Sequence, residues 1–168
     1  MLSKLNELGV FFEDCYREFS VREYSRKIKV SPPTASKVLK GFAKEGLLLM
    51  REERGFLLFK VNRESSVMRD FSRMYWKEKL KDFFSYVNDI VYPDAVVLFG
   101  SLSKLEVMDK SDIDVAIFTK AKKDFDLSKF EKKLGREIQV FVFESLEKVN
   151  KELRSNIING YVLGGYLK

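Results

Sequence analysis

Residues 95–118 read A-V-V-L-F-G-S-L-S-K-L-E-V-M-D-K-S-D-I-D-V-A-I-F. Ala95–Phe99 has the length and composition of a buried strand, and it runs directly into Gly100-Ser101. Ten residues, Leu102–Ser111, intervene before Asp112-Ile113-Asp114 leads into a second apolar strand, Val115–Phe118. In an extended segment residues i and i+2 share a face, so Asp112 and Asp114 point one way and Ile113 the other. Two carboxylates held so close repel each other, and a cation between them relieves that repulsion. A divalent ion that also accepts phosphate oxygens suits such a pair. Gly100 lets a phosphate approach the backbone, and the amide and hydroxyl of Ser101 can donate to it.

Composition agrees with oxygen-ligand chemistry. The 168 residues contain no histidine and a single cysteine, Cys15. Ser-His-Asp and Cys-His catalysis, His-containing zinc sites and an intrachain disulfide are thereby excluded. Mg²⁺, Mn²⁺ or Ca²⁺ remain as the metals that carboxylates and other oxygens hold well. No apolar run is long enough to span a bilayer and the N-terminus lacks a signal-peptide pattern, so a cytoplasmic protein without membrane contact is expected. The formal net charge is +6, and residues 1–62 carry +4 of it. That bias suggests a polyanion partner for the N-terminal third.

In this third, Leu5, Leu8, Phe11, Phe12, Cys15 and Phe19 follow helical spacing. Ser20-Val21-Arg22-Glu23 has the form of a capping box, and Ser31-Pro32 is a second helix start. Between Pro32 and Glu45, Ala35, Val38, Leu39 and Phe42 mark a core face, while Thr34, Ser36, Lys37, Lys40 and Lys44 lie opposite. Two β-rich runs, Leu47–Arg51 and Phe56–Val61, flank a loop at Glu52–Gly55, as in a hairpin. Residues 5–61 resemble a winged helix-turn-helix DNA-binding domain. The resemblance implies that Pro32–Glu45 enters the major groove of double-stranded DNA and that the hairpin around Arg54 touches the backbone or minor groove. Ser36, Lys37, Lys40, Lys44 and Arg54 are the DNA-binding residues it points to, and a homodimer is expected because such readers use paired half-sites.

Arg63 to Val91 contains no Gly or Pro, and Val67, Phe71, Met74, Tyr75, Leu80, Phe83, Phe84, Val87 and Ile90 recur at three- and four-residue steps. One long helix or two abutting ones is predicted, with Trp76 and its neighbours in a core. Pro93 closes the element. Further on, Gly135–Phe143 contains a strand. Glu144 to about Asn159 reads as a helix with Leu146, Val149, Leu153 and Ile157 inward, and Gly160–Gly165 as a loose terminal segment.

The segment F-G-S-L-S-K-L-E-V-M-D-K-S-D-I-D-V-A-I-F resembles the nucleotidyltransferase superfamily related to DNA polymerase β, and is especially similar to the minimal nucleotidyltransferases. The likeness covers residues 93 to about 155. It implies an α/β domain with a mixed sheet, in which Gly100 and Ser101 hold the triphosphate of ATP or another nucleoside triphosphate. Asp112 and Asp114 are then the catalytic carboxylates that bind Mg²⁺ or Mn²⁺, and Lys104 adds positive charge toward phosphate. The family usually supplies a third carboxylate from the next strand. In the pattern Arg136-Glu137-Ile138-Gln139-Val140 that position falls on Gln139, the chain's only glutamine. An amide oxygen can ligate a metal, but an amide is no base near neutral pH.

The expected chain is therefore α+β: a winged helix-turn-helix at 1–62, a connecting helix at 63–92 and a nucleotidyltransferase-like domain at 93–168. The reaction implied is transfer of a nucleoside monophosphate, AMP, to a protein hydroxyl, and family analogy adds an antitoxin role with the DNA-binding part regulating transcription. The alternative is a transcriptional regulator whose second domain only senses nucleotide or mediates interaction.

Overall fold

The structure, a computed structural model, describes residues 2–167. The chain is mixed α and β, with helices α1 (Leu2–Glu13), α2 (Val21–Ile28) and α3 (Pro32–Lys44) preceding the hairpin strands β2 (Leu48–Glu53) and β3 (Phe56–Val61). A two-residue strand, β1 (Phe19–Ser20), pairs with β3, so the first sheet has the order β1-β3-β2. By contacts the chain separates into two compact units. One comprises the residues up to Tyr75 with Leu105–Asp109, and the other comprises Trp76–Lys104 with the residues from Lys110 onward.

Within the first unit the helix boundaries follow from their caps. Ser20 Oγ accepts from the Glu23 amide at 3.3 Å while Glu23 Oε2 accepts from the Ser20 amide at 2.9 Å, closing the capping box at the start of α2. Ser31 caps α3 through the Thr34 amide, with Pro32 and Pro33 in the first turn, where a missing N–H costs nothing. Ala35, Leu39 and Phe42 of α3 are buried, as are Leu8, Phe11 and Phe12 of α1, Tyr24 of α2, and Phe59 and Val61 of β3. The hairpin is tighter than its sequence suggests. β2 runs on through Glu53, which pairs with Phe56, and leaves Arg54-Gly55 as a two-residue turn. Both turn residues have positive φ, 51° and 78°, the combination of a type I′ turn that matches the twist of two strands. Leu105–Asp109 belongs to this unit because Cys15 N–H donates to Val107 O at 2.7 Å, with Leu105 and Val107 fully buried.

The predicted connecting helix is two helices, α4 (Ser66–Lys79) and α5 (Lys81–Val91), which abut at Leu80. Their buried positions are Met68, Ser72, Trp76, Leu80, Phe83, Val87 and Val91, whereas Val67 is half exposed. The buried stripe thus runs one residue later at its start than the apolar spacing indicates.

The second unit is built on β4 (Ala95–Phe99), β5 (Ile113–Phe118), β6 (Ile138–Phe143) and β7 (Tyr161–Gly165), in the sheet order β6-β5-β4-β7. β5 runs antiparallel to β4 and parallel to β6, so the sheet is mixed. Short helices α6 (Gly100–Lys104), α7 (Ser128–Leu134) and α8 (Lys151–Ile158) complete it. One sheet face buries Ala95, Val97, Phe99, Ala116 and Phe118 against Val149 and Ile157.

Two expectations fail near the C-terminus. The helix predicted over 144–159 is a short 3-10 turn at Leu146–Lys148 and then α8, because Val149 is extended and the Asn150 side chain caps a new start through the Leu153 amide. The segment taken as loose is strand β7, paired antiparallel with β4 across a register shift between Val96 and Val97. Its glycines, which weaken a strand in isolation, are required by crowding. A Cβ on Gly164 would lie 2.2 Å from the Phe84 ring, and Gly165 has φ +77° with the Asp94 carbonyl 2.1 Å from its Cβ position.

Candidate active site

Strand β4 ends at Phe99, whose register partner on β5 is Asp114. The chain then turns at Gly100 with φ +69°, a conformation that glycine adopts without cost. A Cβ at Gly100 would fall 2.2 Å from Asp114 Oδ2 and 3.1 Å from its Cγ. The Asp114 carboxylate therefore lies directly against the Gly-Ser turn, in space that any other residue would fill. Ser103 Oγ donates to Gly100 O at 2.9 Å and holds the turn from the far side of α6, while Ser101 is half-buried on its first turn.

Asp112 stands one residue before β5, and strand alternation puts it on the face of Asp114. Gln139 is the parallel-strand partner of Asp114, on that same face. Its Nε2 donates to Asp112 Oδ2 at 2.7 Å, within the range of a charge-assisted hydrogen bond. Partial burial, and secondarily the charge of Asp112, push the Asp114 carboxyl above the usual carboxylate range. Two carboxylates and one amide thus meet at the end of the sheet where Gly100-Ser101 turns. Among the described residues no three of Asp, Glu or Cys come together as a metal-holding group, so Glu137 does not complete a triad of acids.

The other predicted residues are placed differently. Lys104 reaches Asn156 Oδ1 of α8 at 2.9 Å. Lys37, Lys40 and Lys44 are exposed along α3, Ser36 is half-buried, and Arg54 is exposed at the hairpin tip. Arg51 of β2, three residues before Arg54, is paired with Glu18 and Glu53.

Sequence reasoning missed Arg136. Its buried guanidinium donates to Ser111 O at 2.7 Å and stacks over Trp76 at 5.4 Å, which anchors the backbone immediately before Asp112. The signal was an arginine at the mouth of an apolar strand, which gave only the register of Gln139.

Residues 78–164, just over half the chain, match the family described as "Polymerase beta, Nucleotidyltransferase". The chain belongs to that nucleotidyltransferase family. The match spans the Gly-Ser turn, the acidic pair and Gln139, and it ends within β7, so the terminal strand is part of the family domain. Neither a curated protein nor a solved structure matches the chain. No helix among the described residues is long and apolar enough to cross a membrane.

Proposed function

We propose that the second unit binds a nucleoside triphosphate with Mg²⁺ or Mn²⁺ and transfers its nucleoside monophosphate, AMP, to a hydroxyl on a protein. The single observation that carries this reading is the Asp114 carboxylate lying against Gly100, with Asp112 beside it on one strand face. The donor set is oxygen only, and two carboxylates share one strand face, with the Asp114 carboxyl raised first by burial and then by the charge of Asp112; both fit a divalent cation. Asp112 and Asp114 would hold that ion, with the Gln139 side chain as neighbour. When bound, it neutralises the charge of the triphosphate and of the leaving pyrophosphate.

The chain's own contribution is positioning. Gly100 leaves room for phosphate beside the backbone, and Ser101 donates to it. Arg136 fixes the Ser111 carbonyl and so the approach of Asp112 to the sheet. In the transfer, an acceptor oxygen attacks the α-phosphorus, the bond to the bridging oxygen breaks, and pyrophosphate leaves with its electron pair. The acceptor proton passes to water, since Gln139 cannot take it.

The first unit, in this reading, is a winged helix-turn-helix that holds double-stranded DNA. Its support is the order of two capped helices and a hairpin, with Lys37, Lys40 and Lys44 exposed along the second helix and Arg54 at the hairpin tip. The whole protein then works as an antitoxin-type regulator, in the cytoplasm.

One observation favours a second reading, a nucleotide sensor without turnover. Gln139 stands in the register of the family's third acid and spends its amide on Asp112. Incubation with α-labelled ATP, Mg²⁺ and a panel of protein acceptors separates the two. Label on an acceptor, lost in Asp112→Asn/Asp114→Asn, supports transfer. Saturable ATP binding without label on any acceptor supports the sensor, and no binding at all rejects both.

A further inference from the structure

The chain that joins the Gly-Ser turn to Asp112 does not stay in the unit that holds both. Lys104 and Lys110 belong to the second unit, whereas Leu105–Asp109 belongs to the first. Within this segment exposure alternates, Leu105 and Val107 being fully buried and Glu106 and Met108 exposed, as in an extended run laid against a core. The Val107 carbonyl accepts from the Cys15 amide at 2.7 Å. Arg63 donates from Nε to the Leu105 carbonyl at 3.4 Å, sets a terminal nitrogen 3.9 Å from Glu106 and stacks over the Tyr16 ring. Leu105 has φ +63°, a left-handed conformation that a bulky residue keeps only where its surroundings impose it.

Both ends of the segment are short of slack. Leu105 directly follows the last residue of α6, and Ser103 Oγ ties that helix to the Gly100 carbonyl. At the other end Arg136 holds the Ser111 carbonyl, one residue before Asp112. Lys110 alone is left to take up a shift, and one residue spans at most about 3.6 Å. A larger displacement of Leu105–Asp109 must therefore move α6, or break the Arg136 bond and pull on Asp112.

We infer that Leu105–Asp109 is a positioning strap through which the first unit regulates the nucleotide site. While Leu105 and Val107 are seated, the Gly-Ser turn and Asp112 are held in place; unseating them loosens both. The inference rests on the reading of that turn and the acidic pair as a nucleotide site. Linkage is reciprocal, so a nucleotide that fixes Gly100-Ser101 and Asp112 also fixes the ends of the strap and favours its seat in the first unit. A ligand of the first unit that alters the seat alters nucleotide affinity by the same factor.

Amide exchange of the full chain reads both ends of this device. The Cys15 amide reports the seat, and the Ile113 amide, bonded to the Glu137 carbonyl at 2.9 Å, reports the start of β5 beside Asp112. Val107→Ala removes two buried methyl groups and should speed exchange at both amides by about tenfold. Asp109→Ala, at an exposed position of the same segment, should change neither. Faster exchange at Cys15 with Ile113 unchanged overturns the inference. Should Val107→Ala fail to fold, Arg63→Ala, which frees the Leu105 carbonyl from a partly exposed position, takes its place with the same two outcomes. In the wild type, a non-hydrolysable ATP analogue with Mn²⁺ should slow Cys15 exchange about threefold or more. Saturation by the analogue with no change at Cys15 overturns the inference equally. If the analogue does not bind, the nucleotide reading falls, and the hold of the strap on Asp112 is decided by the variants alone.

Discussion

Replacing Gly100 by Ala tests the contact on which the site depends. An L-residue at φ +69° carries the left-handed penalty of ~1–2 kcal/mol. The added Cβ also lands 2.2 Å from Asp114 Oδ2 and 3.1 Å from Cγ, so the carboxylate must swing out of its rotamer, at a further ~0.5–1.5 kcal/mol. The total loss of folding stability is then about 2–3 kcal/mol. The second part disappears when Asp114 is Ala, since only the Asp114 Cβ, 3.3 Å away, remains in contact. Urea unfolding of the four proteins in the double-mutant cycle reads the coupling directly. Gly100→Ala should cost about 0.5–1.5 kcal/mol less in the Asp114→Ala background than in the wild type. An equal cost in both backgrounds would show that the carboxylate does not lie against the turn, and the geometric argument for the site would fall.

Three further outcomes follow from particular residues. Asp114 has its carboxyl raised in the folded state, so its ionisation opposes folding. Asp114→Asn should therefore be more stable than wild type at neutral pH, with the gain vanishing as pH falls through the raised carboxyl value to the ordinary carboxylate range; a constant difference across that window in thermal melts contradicts the assignment. Gly164→Ala drives a methyl into the Phe84 ring at 2.2 Å and should cost ~1–3 kcal/mol by denaturant unfolding, whereas a neutral effect would mean that β7 does not dock there. Lys37→Ala/Lys40→Ala should weaken duplex binding and lower the salt slope by about two, as two lost phosphate contacts require; unchanged slope in a fluorescence titration removes these lysines from the interface.

How far the chain could be read in advance depended on whether a feature was local. The caps at Ser20 and Ser31, the strands on either side of Gly100-Ser101 and the shared face of Asp112 and Asp114 follow from short-range rules, and the structure has them. The pairing of Gln139 with Asp114 was visible only through family register, and its bond to Asp112 not at all, because side-chain partners across strands leave no spacing signal. β7 was missed because Gly164 and Gly165 argue against a strand locally, while Phe84 and Asp94, about 70–80 residues away, make glycine necessary there. The two-residue turn at Arg54-Gly55 was read as a longer loop since Glu52 and Glu53 are poor strand formers. Arg136 escaped notice because its partner is a backbone carbonyl, to which any sequence contributes equally.

The proposed transfer requires the acidic pair and the Gly-Ser turn to form one pocket for a metal-bound triphosphate. Calorimetric titration of the full chain with a non-hydrolysable ATP analogue, with and without Mn²⁺, tests this most directly. The prediction is saturable, Mn²⁺-dependent binding at one site per chain, abolished in Asp112→Asn/Asp114→Asn while the fold persists. Binding that is indifferent to Mn²⁺, or that survives the double substitution, would contradict it.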